Sequence, residues 1–408
     1  MTSEEAAAAL GVRRATLYSY VSRGLIRIAA TRQGRRRLYL EADVERLRRR
    51  AAAARGHGPA AAAALDWGMP VLASAITSID PDGPNYRGEP AVSLAEAHHP
   101  FEAIVHLLWS GELRSDPPPL VVDDLGVDPD LLERALPPGL HPHTALAALI
   151  PLLAAADPLR HAIAADEALP QARRLIRRMA AGLAYSGPRA GWRERLRAAL
   201  EATSIADAIL AALGASSKPD PGSDLHQVLI LCADHELNAS SFAARIAAGA
   251  GADLYAVLSA ALATLSGPRH GGLSDRVEDV LDEAQGAADV ARWIAGRSGR
   301  GEEVPGFGHR LYPEGDPRAA ALIALARRRP TGARGKTLLA LIEAMAGAGH
   351  PAPNLDVGLV AACHAVGLPR GSASAVFAIG RAAGWVAHAR EQHASGQLLR
   401  PRARYVGP

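Results

Sequence analysis

Alanine- and leucine-rich segments with helical spacing follow one another from about residue 144 almost to the end of the chain. Aromatic residues make up only 4% of the sequence, and runs of the Val, Ile, Tyr and Thr that strands favour are nearly absent. One such segment has apolar residues at helical intervals that form a single stripe: Leu254, Val257, Leu258, Ala261, Leu262 and Leu265. Asp253 is a good N-cap for this helix, and Gly267 suits its C-terminal stop. These features predict a mainly α protein built from close-packed helices.

The length and the apolar content bound the class of protein. A chain of 408 residues is long enough for two or three domains. The longest uncharged apolar window, residues 146–156, is too short to cross a bilayer, and the first residues lack the layout of a signal peptide. Cys232 and Cys363 lie in apolar helical surroundings and indicate buried thiols. We therefore expect a cytoplasmic protein that has no membrane partner.

The N-terminal segment differs in charge from the rest of the chain. Residues 1–55 contain 13 Arg and 5 acidic residues, a local excess of +8 in a chain whose net charge is +3. Thr2 or Ser3 precedes a helix predicted over 4–10, and a second helix is predicted over 14–22, each followed by a glycine. Two short helices joined by a tight turn predict a helix-turn-helix domain.

The blocks SEEAAAALGV, TLYSYVSRGLI and RRLYLEADVERL resemble, in this order, the winged-helix DNA readers of the MerR and excisionase families. The resemblance implies a recognition helix, a hairpin wing at GRRRLY, a third helix at EADVERLRRR and a double-stranded DNA partner. It implies a domain over 1–55, followed by a low-complexity linker over 56–65. The alternative is a small solvated helical bundle with an Arg-rich surface. The candidate DNA-binding residues are Arg13, Arg14, Thr16, Tyr18, Arg35, Arg36 and Arg37.

The stretch SGPRHGG, residues 266–272, sets His270 in a bend directly after a predicted helix. The glycines permit a tight bend of the backbone, but the bend does not require a histidine. Functional side chains often lie on loops that a rigid scaffold holds. Taken alone, His270 has a plain alternative as a surface or capping residue.

Other polar residues in similar settings change this interpretation. Two or three Arg beside several His and an Asp predict acid–base chemistry on an anionic substrate. Arg381 lies among small apolar residues, where a guanidinium is costly unless an anion or a structural carboxylate meets it. The sequence lacks the short paired spacing of zinc ligands, so no metal is expected. The candidate residues are His235 in ADHELNASSF, His309 and Arg318 in GFGHRLYPEGDPRA, Asp356 in PNLDVG, Arg381 in FAIGRAAGWVAHARE, and Arg400 in RPRARY.

These blocks, together with LSGPRHGG, resemble the successive signature blocks of the citrate synthase family, over roughly residues 66–408. The resemblance implies a large helical domain over 66–273 and 354–408, a small one over 274–353, and an active site in the cleft between them. It also implies a homodimer or a higher even oligomer. No tightly bound cofactor is expected, and acetyl-CoA or another short acyl-CoA would be the co-substrate.

Carried onto this sequence, the family mechanism assigns three catalytic residues. Asp356 would remove a methyl proton from acetyl-CoA, His270 would donate to the thioester oxygen, and His309 would act at the keto oxygen of oxaloacetate. The reaction would yield citrate and CoA, as in the tricarboxylic acid cycle. The oxaloacetate carboxylates would be held by His235, Arg318, Arg381 and, from the partner subunit, Arg400.

Two departures from the family pattern leave the acyl substrate open. Arg269 stands where the family often has a bulky apolar residue, and Val357, Gly358 and Leu359 stand where aromatics follow the catalytic Asp. Propionyl-CoA, as in 2-methylcitrate synthases, is therefore an alternative, because one methylene discriminates by only about 1–3 kcal/mol. A DNA-binding regulator with a metabolite-sensing, synthase-like body is a further alternative, although the complete catalytic set favours an enzyme.

Overall fold

The structure is a computed structural model, and it describes residues 1–10, 12, 14–22, 25–29, 38–41, 43–44, 72–137, 139–161, 165–188, 190–215, 221–284, 286–329, 332–401, 405 and 407. Arg13, Arg35, Arg36, Arg37 and the linker predicted over 56–65 lie outside these residues. The chain divides into two compact units, one formed by Met1–Ala73 with Arg400–Pro408 and the other by Ser74–Leu399. The predicted division into a large and a small helical domain stays a prediction. None of the described helices is long and apolar enough to cross a membrane.

The first unit contains helices α1 (Ser3–Leu10) and α2 (Arg14–Ser22) and an antiparallel pair of strands, β1 (Ile28–Ala29) and β2 (Leu38–Tyr39). Helix α1 begins with a capping box, in which Thr2 N–H donates to the Glu5 carboxylate at 2.8 Å and Glu5 N–H donates to Thr2 Oγ1 at 3.3 Å. The two predicted helices are confirmed, and β2 covers the last two residues of the predicted wing. The elements enclose a small apolar core of Ala6, Ala7, Leu10, Leu17, Ile26, Tyr39 and Val44.

The second unit begins with a small antiparallel sheet of strands β3 (Thr77–Asp80), β4 (Gly83–Tyr86) and β5 (Glu89–Pro90), in that order. Thr77 lies opposite Tyr86, and Asn85 lies opposite Pro90. Tyr86 is buried, and its hydroxyl donates to the carbonyl of Ile230 at 2.8 Å. The sheet is thereby attached to the helix that ends beside the candidate site.

The rest of the second unit is helical, which confirms the mainly α class. The helices are α3 (Ala91–Glu96), α4 (Phe101–Ser110), α5 (Pro129–Ala135), α6 (Pro142–Ala156), α7 (Ala165–Gly182), a 3₁₀ turn (Leu183–Tyr185), α8 (Trp192–Glu201), α9 (Ile205–Leu213), α10 (Pro221–Cys232), α11 (Ala239–Gly249), α12 (Leu254–Leu265), α13 (Leu273–Glu283), α14 (Val290–Gly299), α15 (Pro317–Arg327), α16 (Ala333–Gly347), α17 (Leu355–Ala365) and α18 (Ser372–Ser395). Helix α12 has the predicted bounds, and the Asp253 side chain caps it by accepting from Ala256 N–H.

Helix α18 is the central element of the second unit and packs against α10, α11, α12 and several other helices. Two of its glycines permit a close approach to α10 and the turn that follows it. A Cβ at Gly380 would lie 2.9 Å from the carbonyl oxygen of Leu229, and one at Gly384 would lie 2.6 Å from that of Ala233. This packing brings Arg381 against the C-terminal end of α10.

Helices α15 and α17 also pack closely, and Gly358 lies at their contact. A Cβ there would lie 2.8 Å from the Cα of Ala319. Val357 and Leu359, on either side, are completely buried. Gly358 is thus a packing residue of this helix pair, and Val357 and Leu359 are core residues of the second unit.

Candidate active site

Three aromatic rings form one wall of the candidate site. His235 follows the end of α10, and its ring meets that of His309 edge-to-face with centroids 5.9 Å apart. Tyr312 stacks on His309 at 5.0 Å and shares a hydrogen bond of 2.9 Å with His235 Nε2 through its hydroxyl. Glu236, beside His235, has a φ of 53°, a left-handed conformation that costs energy for a residue with a side chain. This backbone strain lies directly beside His235.

Arg318 lies at the start of α15 and is held by the N-cap residue of the same helix. The Asp316 carboxylate accepts from Arg318 Nε at 3.0 Å and from Nη2 at 2.7 Å, and both side chains are buried. Burial opposes the charge of the guanidinium, but the paired carboxylate outweighs it and raises the pKa of Arg318. The guanidinium also lies 5.7 Å from the ring centroid of Tyr312. A fixed, permanent cation therefore borders the His235–His309–Tyr312 wall.

Arg381 is buried on α18, as the sequence predicts. Its Nε donates to the carbonyl of Cys232 at 2.6 Å, and its guanidinium lies 4.8 Å from the ring centroid of Phe377. Burial lowers the pKa of Arg381, and the nearby Asp234 carboxylate opposes this. Asp234 is itself 3.4 Å from His388 Nε2. The structure thus pairs Arg381 with a backbone carbonyl and an aromatic face, and its charge is offset only in part.

His270 follows α12 in the glycine-rich bend. Its Nε2 lies 2.9 Å from Ser240 Oγ, which also accepts from Trp385 Nε1 at 3.1 Å. The same hydroxyl donates to Oδ1 of Asn238, the N-cap residue of α11, at 2.8 Å. Burial, followed by the charge of Arg381, lowers the pKa of His270 to about 3, so the imidazole is neutral.

Asp356 lies in the first turn of α17, with Asn354 as the N-cap residue. Its Oδ1 accepts a hydrogen bond of 2.7 Å from the hydroxyl of Ser274, the second residue of α13. Burial raises the pKa of Asp356 to about 7, while Ser274 and Arg318 oppose this shift. A carboxylate with such a pKa is poised to accept a proton near neutral pH.

These groups form one electrostatic cluster. Burial lowers the pKa of His235 well below its ordinary value, and Arg318 and Arg381 act in the same direction. His309 and His270 also contribute to that shift, and burial lowers the pKa of His309 itself. The structure therefore brings together His235, His270, His309, Arg318, Arg381 and Asp356. The imidazoles are neutral, the cations are buried, and the carboxyl group of Asp356 has a pKa of about 7.

Arg400 and the DNA-binding candidates lie in the first unit. Arg400 is exposed. On α2, Arg14 is exposed and contacts Glu4 at 3.0 Å, Tyr18 is 47% exposed, and Thr16 is half-buried. Arg269, which departs from the family pattern beside His270, is also exposed.

Some contacts in the site are absent from the sequence interpretation. The Asp–Pro–Arg spacing at 316–318 was a visible signal for the Asp316–Arg318 pair, because an N-cap carboxylate two residues before an Arg is a local feature. Ser274 and Tyr312 gave no such signal, since their partners lie 82 and 77 residues away. Ser240 also gave no such signal, because its partner His270 lies 30 residues away.

Comparison with known proteins gives two family matches. Residues 64–402 match the family described as citrate synthase, C-terminal domain. Residues 1–52 match a helix-turn-helix domain family. The chain is 31% identical over 367 residues to citrate synthase 2 of Bacillus subtilis, covering 84% of this chain and 95% of that protein. It is 30% identical over 362 residues to 2-methylcitrate synthase of Mycobacterium tuberculosis, covering 83% of this chain and 89% of that protein.

Solved structures agree with these matches. A citrate synthase from Thermoplasma acidophilum, in a ternary complex with carboxymethyl coenzyme A and oxaloacetate, superposes with a TM-score of 0.68 at 25% identity. The match covers 83% of this chain and 94% of that one. The citrate synthase from Thermotoga maritima gives a TM-score of 0.66 at 25% identity, covering 84% and 94% of the two chains.

Proposed function

The chain belongs to the citrate synthase family, and on that premise we propose which of its residues carry out each step of the condensation. The protein is an acyltransferase that performs a citrate synthase-like condensation. Oxaloacetate, acetyl-CoA and water are the reactants, and citrate and CoA are the products. The observation that supports the assignment of roles is the buried cluster in which fixed guanidinium groups and neutral imidazoles surround Asp356.

Oxaloacetate binds to the buried cations. The Arg318 guanidinium, whose Nε and one terminal nitrogen are held by Asp316, presents its remaining donors to one carboxylate. Arg381, whose charge is offset only in part, binds the second carboxylate group. His235 is neutral, and it makes a hydrogen bond to oxaloacetate through Nε2, the ring nitrogen that contacts Tyr312 in this structure.

Asp356 and His270 form the enol of the acyl-CoA. The acyl methyl group is a very weak carbon acid, so the developing oxygen charge must be stabilised while the proton leaves. His270 donates to the thioester oxygen in the tautomer that carries its proton on Nδ1, and this tautomer requires Ser240 to turn its single hydroxyl proton from Asn238 Oδ1 to His270 Nε2. Asp356 takes the methyl proton.

His309 completes the carbon–carbon bond formation. Its neutral imidazole donates to the keto oxygen of oxaloacetate and transfers a proton to it as the enol carbon attacks. Tyr312 stacks on the ring and fixes its orientation. Water then hydrolyses the citryl-CoA thioester, and free CoA is released.

Assembly and DNA binding extend this proposal. Arg400 binds a substrate carboxylate in the site of the partner subunit, so the active protein is a homodimer or a higher even oligomer. The N-terminal domain binds double-stranded DNA through α2, where Arg14 and Tyr18 are exposed and Thr16 is half-buried. The helix-turn-helix match over residues 1–52 supports that second function. We also propose that the protein acts in the cytoplasm.

Release of the CoA thiol tests the proposal. We expect acetyl-CoA to give free CoA only when oxaloacetate is present. Propionyl-CoA and butyryl-CoA, assayed in parallel, will identify the preferred acyl chain. Absence of oxaloacetate-dependent release with all three acyl-CoA substrates would contradict the proposed function.

A further inference from the structure

The hydroxyl of Ser274 is the closest side-chain donor to the carboxylate of Asp356 among the hydrogen bonds that the described residues form. Its Oγ lies 2.7 Å from Asp356 Oδ1, and Ser274 is completely buried. A serine hydroxyl has one proton to donate, and an ionised carboxylate can only accept. The proton of this hydrogen bond therefore comes from Ser274 whenever Asp356 is ionised.

The glycine-rich bend explains why Ser274 reaches this position. A Cβ at Gly272 would lie 2.2 Å from the carbonyl oxygen of Ser266, and one at Gly271 would lie 2.7 Å from the Leu265 side chain. Only glycines permit so tight a return of the chain between α12 and α13. The same bend thus carries His270 and delivers Ser274 four residues later to the base.

A second buried contact holds the register of α13 against α17. One helical turn beyond Ser274, the Glu278 carboxylate accepts from His364 Nε2 at 3.1 Å and from Arg334 at 2.9 Å. Glu278 is buried, and removing both partners would leave its carboxylate without compensation. Among the described residues, two polar contacts therefore connect the two helices, and of these only the Ser274 contact reaches the base.

Other charged groups face Asp356 from the neighbouring helices. Arg318 and Asp316 lie at the start of α15, where the cation favours and the anion disfavours ionisation of Asp356. Cys232, at the end of α10, has its pKa raised by burial to about 12 and stays neutral. Arg334 of α16 contacts Glu278, and Arg381 of α18 contacts the Cys232 carbonyl. Ser274 is therefore an uncharged hydrogen-bond donor to Asp356, while the surrounding charges act on the ionisation of Asp356 in opposite directions.

We propose that Ser274 is a positioning residue for the base: it holds Asp356 Oδ1, favours the ionised carboxylate and leaves Oδ2 to accept the acyl methyl proton. This inference rests on the proposed function. In the step itself the methyl C–H bond breaks and its proton moves to Oδ2, the C–H electron pair forms the enol C=C bond, and the C=O π pair moves onto the thioester oxygen, to which His270 donates. Ser274 keeps its proton throughout.

The test is the pH profile of kcat/KM for acetyl-CoA in the full-length protein and in Ser274→Ala. A hydrogen bond to a charged group shifts the pKa of that group by about one to two units. Loss of the Ser274 hydroxyl should therefore raise the pKa of Asp356 and move the acid limb of the Ser274→Ala profile to higher pH by that amount. Activity below the limb should fall about 10- to 100-fold and should recover in part at higher pH. The KM for oxaloacetate should change little, because Ser274 acts on the base.

Two further variants separate positioning from packing. Ser374→Ala removes another buried hydroxyl, whose hydrogen bond within the described part of the chain goes to the carbonyl of Gly371, and its acid limb should coincide with that of the wild type. Ser274→Thr keeps the hydroxyl and should return the limb toward the wild-type position. An unchanged limb in Ser274→Ala, or an equal shift in Ser374→Ala, would overturn the inference. A wild-type protein that releases no CoA would instead contradict the proposed function.

Discussion

The carboxylate of Asp316 accepts two hydrogen bonds from the guanidinium of Arg318, at 3.0 and 2.7 Å, and both side chains are buried. The two residues are separated by one proline at the start of a helix. The pair orients the planar cation before any substrate arrives, so little side-chain freedom is lost on binding.

Arg318→Lys should raise the KM for oxaloacetate about 10- to 100-fold, because an ammonium group cannot donate to Asp316 and a substrate carboxylate with the same fork geometry. Steady-state kinetics with oxaloacetate as the varied substrate will measure this. Arg327→Lys, at an exposed position of the same helix, is the matched control and should leave the KM unchanged. Equal KM values for the two variants would contradict the role of Arg318.

Asp356→Asn should lower kcat about 10²- to 10⁴-fold while oxaloacetate binding survives, because the base acts only in the proton transfer. Thiol release and calorimetric titration with oxaloacetate measure the two quantities. Loss of oxaloacetate binding in this variant would instead indicate a structural role for the carboxylate.

The same substitution should change how stability depends on pH. Burial raises the pKa of Asp356 from 3.8 to about 7, so the folded state binds the proton more tightly than the unfolded chain. The free energy of unfolding therefore falls as the pH rises between these two values, and Asp356→Asn removes that cost. The thermal midpoint of the variant should exceed that of the wild type by a few degrees at pH 8 and should match it near pH 4. A lower midpoint at pH 8 would show that the ionised carboxylate stabilises the fold.

His270 should stay neutral throughout the working pH range, because burial and the charge of Arg381 lower its pKa to about 3. NMR of histidine labelled with ¹⁵N should give a neutral ring between pH 5 and 9, and His270→Gln will assign the signal. A titration of that signal near pH 6.5 would contradict the neutral-donor role.

Arg400 should act across the subunit interface. Asp356→Asn and Arg400→Ala protomers should each be nearly inactive alone, and mixing them by unfolding and refolding should restore activity. A mixed dimer has one site with both Asp356 and the partner's Arg400 intact. Light scattering should give at least a dimer, and Arg328→Ala, which alters an exposed Arg, should keep full activity. A fully active monomer would contradict this prediction.

Deletion of residues 1–55 should abolish duplex DNA binding and leave the condensing activity in place. The excess of positive charge predicts weak binding whose affinity falls steeply as salt increases. Fluorescence anisotropy with a labelled duplex at several salt concentrations will test this. A truncated protein that binds DNA as well as the full chain would refute it, and loss of catalysis would show that the segment helps to build the enzyme.

The sequence by itself determined the features that local chemistry controls. The Ala- and Leu-rich periodicity predicted a mainly α fold, and the caps at Thr2 and Asp253 start helices where they were expected. The bounds of α2 and α12 match their predictions because apolar spacing and flanking glycines act over one or two turns. The ordered polar blocks likewise pointed to His235, His270, His309 and Asp356.

The tertiary structure alone decided which of these side chains meet and how their protons are held. Ser274 and Asp356 are 82 residues apart, and their hydrogen bond depends on how α13 and α17 pack. The pKa of about 7 at Asp356 also arises only in the folded chain, because burial removes water from the carboxylate. Spacing along the chain governs contacts within a turn, whereas contacts between distant segments and the loss of solvent depend on the packing of whole helices.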